Sequence, residues 1–249
     1  RYGQSVAPQG YSTDLLADEA IKLLKNRNKK KPIFLYLPFN APHQPAQASE
    51  RLLEKYRKLG FFGRRVGQAG AIEAMDAAIG RVLATIEAEG ISKETLVMFF
   101  CDNGSGGGGR RGSTALPGQL ALRGGKGSVL EGGIRVPAVL RWPGVIRAGT
   151  KCDQLISAQD LFPTFSVAAG IKPANQKQFD GVNCWPAIVQ NKPMKRPPVI
   201  VAGPSGEFAV LHDQWKLTWS PRQMNLYNVK DDPTESKDVI CLLYTSPSP

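Results

Sequence analysis

Between Thr13 and Lys31 the apolar positions Leu16, Ala20, Leu23 and Leu24 recur at intervals of about three to four, and the segment runs from Asp14 and Asp18 to a basic end. That spacing predicts a helix with Thr13 as its N-cap and with charges matched to the two ends of the helix dipole. Beyond Pro32 the pattern changes. Ile33, Phe34, Leu35, Tyr36 and Leu37 form an unbroken apolar run between prolines, as in a strand buried on both faces of a sheet. Helical spacing returns from Val66 to Glu89, at Ile72, Met75, Ile79, Val82, Leu83 and Ile86, and Gly90 supplies a C-cap. Thr95–Cys101 reads as a second buried strand, so strand, helix and strand follow in the order of a parallel crossover unit.

Val136–Trp142 predicts a third strand, and Asp160–Ala169 a helix ended by Gly170. The runs Phe208–His212, Trp215–Trp219 and Leu226–Val229 are short and alternating, as in a small antiparallel sheet. The expected class is therefore α/β, a mainly parallel sheet flanked by helices with a small C-terminal antiparallel-sheet subdomain. A boundary is expected near residue 172, giving a main domain over 1–171 and a subdomain over 172–240. The last residues, 241–249 (CLLYTSPSP), break the preceding pattern and read as a foreign or read-through tail. The chain opens on Arg1 without a leader, so it reads as an internal segment of a longer protein.

Composition narrows the function classes. Hydrophobic residues make up 42% of the 249, enough for a sizeable core. The net charge of +11 gathers at Lys22–Lys31, Arg51–Arg65 and Arg110–Lys126 and would attract anions. Lys22–Lys31 reads as a solvated helix end, and a nucleic-acid module would also need aromatics interleaved with the basic residues, so no nucleic-acid partner is expected. No apolar run approaches the roughly 20 residues of a membrane span. The cysteines at 101, 152, 184 and 241 lack the CxxC spacing of a structural zinc site and leave the redox compartment open.

Chemistry is expected beyond the carboxyl ends of strands, where α/β folds collect ligands. The first apolar run enters PFNAPHQP, where prolines surround His43. The second runs into Asp102-Asn103-Gly104, two oxygen ligands side by side, a hard-cation arrangement suited to calcium or magnesium. The third place is a long glycine-rich loop carrying Lys126, then Glu131-Gly-Gly-Ile-Arg135. Each has a plain alternative: Asp-Asn-Gly is an ordinary turn, Asn103-Gly104-Ser105 is an N-glycosylation sequon, and His43 or Lys126 alone suits an exposed loop. A phosphate loop is excluded, because Lys126 is followed by Gly127 rather than Ser or Thr.

Taken together, the phrases GYSTDLLADEAI, PIFLYLPFNAPHQP, CDNGS, LRGGKGSVLEGGIRVPAVLRWPG and LYNVKDDPTE resemble the sulfatase family, of the arylsulfatase type within the alkaline phosphatase superfamily. The resemblance runs to about Val239. It implies metal-assisted hydrolysis of sulfate esters through a formylglycine made from Cys or Ser, with calcium and basic side chains holding the sulfate oxygens. By carry-over, Asp102 and Asn103 are metal ligands, and His43 and Lys126 are catalytic and substrate-binding contacts to sulfate. His43 and Lys126 are expected to approach the cleft of Asp102, while Glu131 and Arg135 brace the loop. A sulfated small molecule or carbohydrate is the implied partner, and a secreted, lysosomal or periplasmic location is the family's habit.

The family's nucleophile motif, Cys or Ser, any residue, Pro or Ala, any residue, Arg, belongs well before Gly10. Cys184-Trp185-Pro186-Ala187-Ile188 and Ser5-Val6-Ala7-Pro8-Gln9 both fail at the final Arg. The formylglycine is thus expected in a segment upstream of Arg1, and residues 1–249 alone are expected to be inactive. Two alternatives stand beside this reading: a phosphodiesterase or phosphonate hydrolase of the same superfamily, disfavoured by only two histidines, and a non-catalytic binder of sulfated glycans.

Overall fold

Three helices account for most of the first ninety-five residues: α1 (Ser12–Lys25), α2 (Glu50–Lys58) and α3 (Arg64–Ala88). They come from a computed structural model that describes residues 9–104, 122–172 and 179–243. The chain divides into two compact units, Arg1–Thr95 and Leu96–Pro249.

In the first unit α1 and α2 both pack on α3. Helix α1 buries Thr13, Ala17, Ala20 and Leu24, a stripe at helical spacing. Its N-cap is Tyr11 rather than the expected Thr13, whose side chain is buried within the first turn. Helix α3 departs from its expected stripe as well. Its buried positions are Val66, Gly70, Ala71, Ala78, Val82, Thr85 and Ile86, while Ile72 is exposed. Small residues let neighbouring chain approach α3 closely, as at Gly67 and Gly70. Arg81 on α3 pairs with both Asp14 and Asp18 of α1.

Ile33–Leu37 is not a strand. The segment has no ladder partner among the described residues, and Ile33, Phe34 and Tyr36 are exposed. Apolar content gives a run the propensity to be a strand, but only a neighbouring backbone makes it one. The strand–helix–strand crossover expected through α3 is accordingly not formed by the described residues.

The second unit holds two sheets. Strand β1 (Val97–Phe100) pairs antiparallel with β2 (Ala138–Arg141), Val97 opposite Arg141. A four-stranded antiparallel meander follows: β3 (Val199–Ala202), β4 (Phe208–His212), β5 (Trp215–Ser220) and β6 (Gln223–Asn228). Of its four strands, β4 and β5 begin where the alternating runs predict, β6 begins earlier, and β3 was not expected. The helices are α4 (Glu131–Ile134), α5 (Leu161–Ala168), α6 (Trp185–Gln190) and α7 (Ile240–Leu243). The core of this unit lies on one face of the meander, where Val199, Ala209 and Leu211 meet Val129, Ile134 and Leu155. The segment bearing Lys126 is thereby packed against the sheet. Residues 244–249 of the supposed tail lie outside the described residues.

Candidate functional site

In the first unit His43 sits in an exposed loop fixed at both sides. Its backbone N–H donates to the Asn40 carbonyl at 2.9 Å, and ring Nδ1 lies 2.7 Å from the Gln44 carbonyl. A carbonyl only accepts, so Nδ1 carries a proton and Nε2 is the nitrogen left for other chemistry. The chain beyond His43 lies flat on α3. A Cβ at Gly67 would meet the Ala46 carbonyl oxygen at 2.5 Å, and one at Gly70 would meet Ala48 Cβ at 2.8 Å. Tyr11 adds a hydrogen bond from its hydroxyl to the Gln47 carbonyl. Two glycines and a tyrosine thus hold the loop that presents the imidazole.

In the second unit Asp102 and Asn103 directly follow the carboxyl end of β1. Asp102 is exposed, and no hydrogen bond occupies its carboxylate among the described residues. The Asn103 amide donates through Nδ2 to the Gly104 carbonyl at 2.8 Å, leaving its Oδ1 as an acceptor. Gly104 N–H donates to the Gly133 carbonyl at 2.9 Å, and a Cβ at Gly104 would collide with the carbonyl of Gly132. The side-by-side oxygens are therefore docked on α4 by backbone-to-backbone contact that only glycine permits.

The loop that carries Lys126 packs on the same helix. Ser128 N–H donates to the Gly125 carbonyl at 2.9 Å, closing a turn with Lys126 and Gly127 at its centre; Gly127 has φ 86°. Positive φ at the second central position is the type II requirement, which glycine meets. The Lys126 side chain is exposed and has no ion pair among the described residues. Gly132 N–H donates to the Arg123 carbonyl at 2.7 Å, and a Cβ on Gly133 would meet the Gly125 carbonyl at 2.5 Å. So the two glycines of α4 lie between the Asn103–Gly104 step and the Lys126 turn, and both contact them through backbone.

Beneath this arrangement is a buried ionic cluster that sequence reading found only in part. Glu131 was expected to brace the loop; Lys216 and Glu235 were not recognised. Lys216 Nζ lies 3.0 Å from Glu131 Oε1 and 2.9 Å from Glu235 Oε1, and all three residues are buried. The Glu235 contact is an ion pair off the hydrogen-bonding direction. Arg135 approaches Glu131 Oε2 at 3.4 Å. A signal was present in the phrase LYNVKDDPTE, which ends on Glu235.

The donor set suits a hard cation in kind, though not yet in number. Asp102 and Asn103 offer two oxygens, and neighbouring Cys101 adds no soft ligand, because burial and then the Asp102 charge push its thiol up. Among the described residues no group of three or more His, Cys, Asp or Glu side chains converges as a metal site. Calcium takes about six to eight oxygens, so further ligands are needed. Cys184, in its Cys-x-Pro setting, is wholly buried, and burial followed by the charge of Asp160 pushes its thiol up to about 11. It is a core residue and no nucleophile at neutral pH.

The sulfatase family profile matches residues 1–171. The chain belongs to the sulfatase family. It is 33% identical to mouse N-acetylgalactosamine-6-sulfatase over 190 residues, covering 74% of this chain and 34% of that protein. It is 36% identical to mouse steryl-sulfatase over 183 residues, covering 72% of this chain and 28% of that one. The crystal structure of Ps i-CgsB superposes with TM-score 0.86 at 33% identity, over 98% of this chain and 54% of that one. The chain thus spans about a third of the length of the curated relatives it matches. Its fold is that of the alkaline phosphatase-like α/β sulfatases. The antiparallel meander is part of this sulfatase chain, and no described helix is long and apolar enough to cross a membrane.

Proposed function

We propose that the protein of which this chain forms part is a sulfuric ester hydrolase acting on a sulfated carbohydrate. The observation that supports this most is the packing of Asn103–Gly104 and the Lys126 turn on one short helix within a chain of the sulfatase family. In this reading Asp102 and Asn103 hold calcium, and His43 and Lys126 contact the sulfate. A bound calcium ion supplies positive charge to the sulfate oxygens. Lys126, at the tip of its turn, offers three N–H donors to the charge that develops as the ester bond breaks. His43 has Nδ1 committed to the Gln44 carbonyl, so a proton passed to the leaving oxygen moves at Nε2. The carbohydrate assignment follows N-acetylgalactosamine-6-sulfatase and the complex of Ps i-CgsB with k-i-k-neocarrahexaose, at 33% identity each. A secreted, lysosomal or periplasmic location accords with such a substrate.

The test is hydrolysis of a chromogenic aryl sulfate and of sulfated oligosaccharides with added calcium. Residues 1–249 are compared with a form extended upstream to include a Cys-x-Pro-x-Arg segment. Residues 1–249 contain no complete nucleophile motif, so turnover is expected from the extended form alone. In that form Lys126→Ala is expected to lower kcat by about 100-fold or more, as for loss of one charge-stabilising donor. Turnover by residues 1–249 that is lost in Cys184→Ala would move the active site elsewhere. Phosphonate hydrolysis, or glycan binding without turnover, by the extended form would overturn the sulfatase activity.

A further inference from the structure

Lys216 has no exposed surface, and it occupies an inward position at the middle of the meander, opposite Leu211 and Tyr227. Its charged partners are not on the sheet. One is Glu131, the first residue of α4; the other is Glu235, in the segment beyond β6. Glu235 adopts φ 52°, a conformation that non-glycine residues seldom take, and it makes two further contacts, one to the backbone of Glu131 and one to the side chain of Arg123. Its Oε2 accepts from Glu131 N–H at 2.8 Å, and its carbonyl accepts from Arg123 Nη1 at 3.0 Å. Arg123 also donates to the Tyr227 hydroxyl at 3.1 Å. From these residues the contacts continue inward: Gly132 N–H to the Arg123 carbonyl, then Gly104 N–H to the Gly133 carbonyl. Both sides of α4 are therefore reached from Lys216 and Glu235 in a few hydrogen bonds.

Stability alone does not account for such a trio. Charges taken out of water lose hydration that their mutual attraction returns only in part, and apolar side chains of similar volume often stabilise a fold at least as well. What paired charges add is direction. A carboxylate between an ammonium and a backbone N–H accepts one geometry, whereas an apolar contact tolerates sliding.

We propose that Lys216 and Glu235 are positioning residues for the Lys126 turn and the Asn103–Gly104 step. The C-terminal sheet, which carries none of the residues assigned to sulfate or calcium, would then set their geometry through Glu131 and Arg123. The proposal rests on the sulfatase reading for the roles of Lys126 and Asn103, but its geometry is testable without turnover.

The experiment is amide hydrogen exchange on the full-length protein, wild type and Lys216→Met/Glu235→Gln, with aryl sulfate kinetics alongside. In the wild type, the amides of Gly104, Ser128, Gly132 and Gly133 are expected to open together with those of β4 and β5. In the double variant β4 and β5 keep their protection, the four amides exchange at least about tenfold faster, and KM rises more than kcat falls. Equal acceleration of sheet and site amides, or unchanged site amides, overturns the proposal. Should the variant fail to fold, the wild-type arm decides: site amides that exchange well ahead of the sheet overturn it, and joint opening upholds it. Inactivity of every form, with the expected exchange pattern, counts against the sulfatase reading and leaves the positioning role standing.

Discussion

At the scale of single residues, Cys184 and the glycines around α4 make opposite demands on the chain. Cys184 shares the first half of a maturation motif, but the fold buries it completely, and its N–H donates to Thr164 Oγ1 at 2.9 Å. With its thiol held up to about 11, it is expected to resist a disulfide-exchange reagent at pH 8, while exposed Cys152 reacts; a count of fast and slow thiols in native and denatured protein checks this. The glycines differ among themselves. Gly133→Ala would drive a methyl into the Gly125 and Ser128 carbonyls, and an overpacking loss of about 1–3 kcal/mol is expected by denaturant titration. At Gly127 nothing lies within reach of a Cβ, so Gly127→Ala is expected to cost only the strain of φ 86°, about 1–2 kcal/mol. Equal and negligible losses at both positions would mean that α4 is not clasped as described.

At the scale of elements, strand β5 shows where alternation runs out. Trp215, Leu217 and Trp219 alternate with Lys216 and Thr218, and by polarity the first set would face the core. The fold buries Lys216 and Thr218 instead, because Glu131 and Glu235 await the lysine on that face. Period two is legible in a strand; which phase is inward depends on partners far along the chain. The turn that delivers Glu235 has its own brace. The Asp232 carboxylate accepts from Thr234 and Ser236 hydroxyls, both at 2.9 Å, and from Lys237 N–H at 2.8 Å. Partial burial opposes ionisation, but these donors prevail, led by the Lys237 amide, and hold the carboxyl below the usual aspartate value. A depressed folded pKa contributes stability that is present above the unfolded value and lost as pH falls through the folded one. The 232–237 turn is therefore expected to loosen below about pH 4 in the wild type. Asp232→Ala should show the loosened state already at neutral pH, read as faster exchange at Lys237.

At the scale of the whole molecule, calcium provides the remaining test. If Asp102 and Asn103 are ligands, calcium at about 100 times its dissociation constant should stabilise the extended form by about 2.7 kcal/mol, and Asp102→Ala should abolish that gain. A calcium-independent melting temperature would remove the metal assignment. The sequence alone determined the α/β class, helices α1, α3 and α5, strands β1, β2 and β4 to β6, and the phrases that mark the sulfatase family, because each is written in local periodicity or in contiguous residues. It also placed Asp102 and Asn103 after a strand and Lys126 in a glycine turn. It did not determine that Ile33–Leu37 lacks a ladder partner among the described residues, that β1 pairs with β2 antiparallel, or that Lys216 and Glu235 join Glu131 in a buried ionic cluster. Those were decided by tertiary structure. Strand pairing and the burial of charge are properties of two or more segments at once, and Glu131 and Glu235 meet across 104 positions only when the chain has folded.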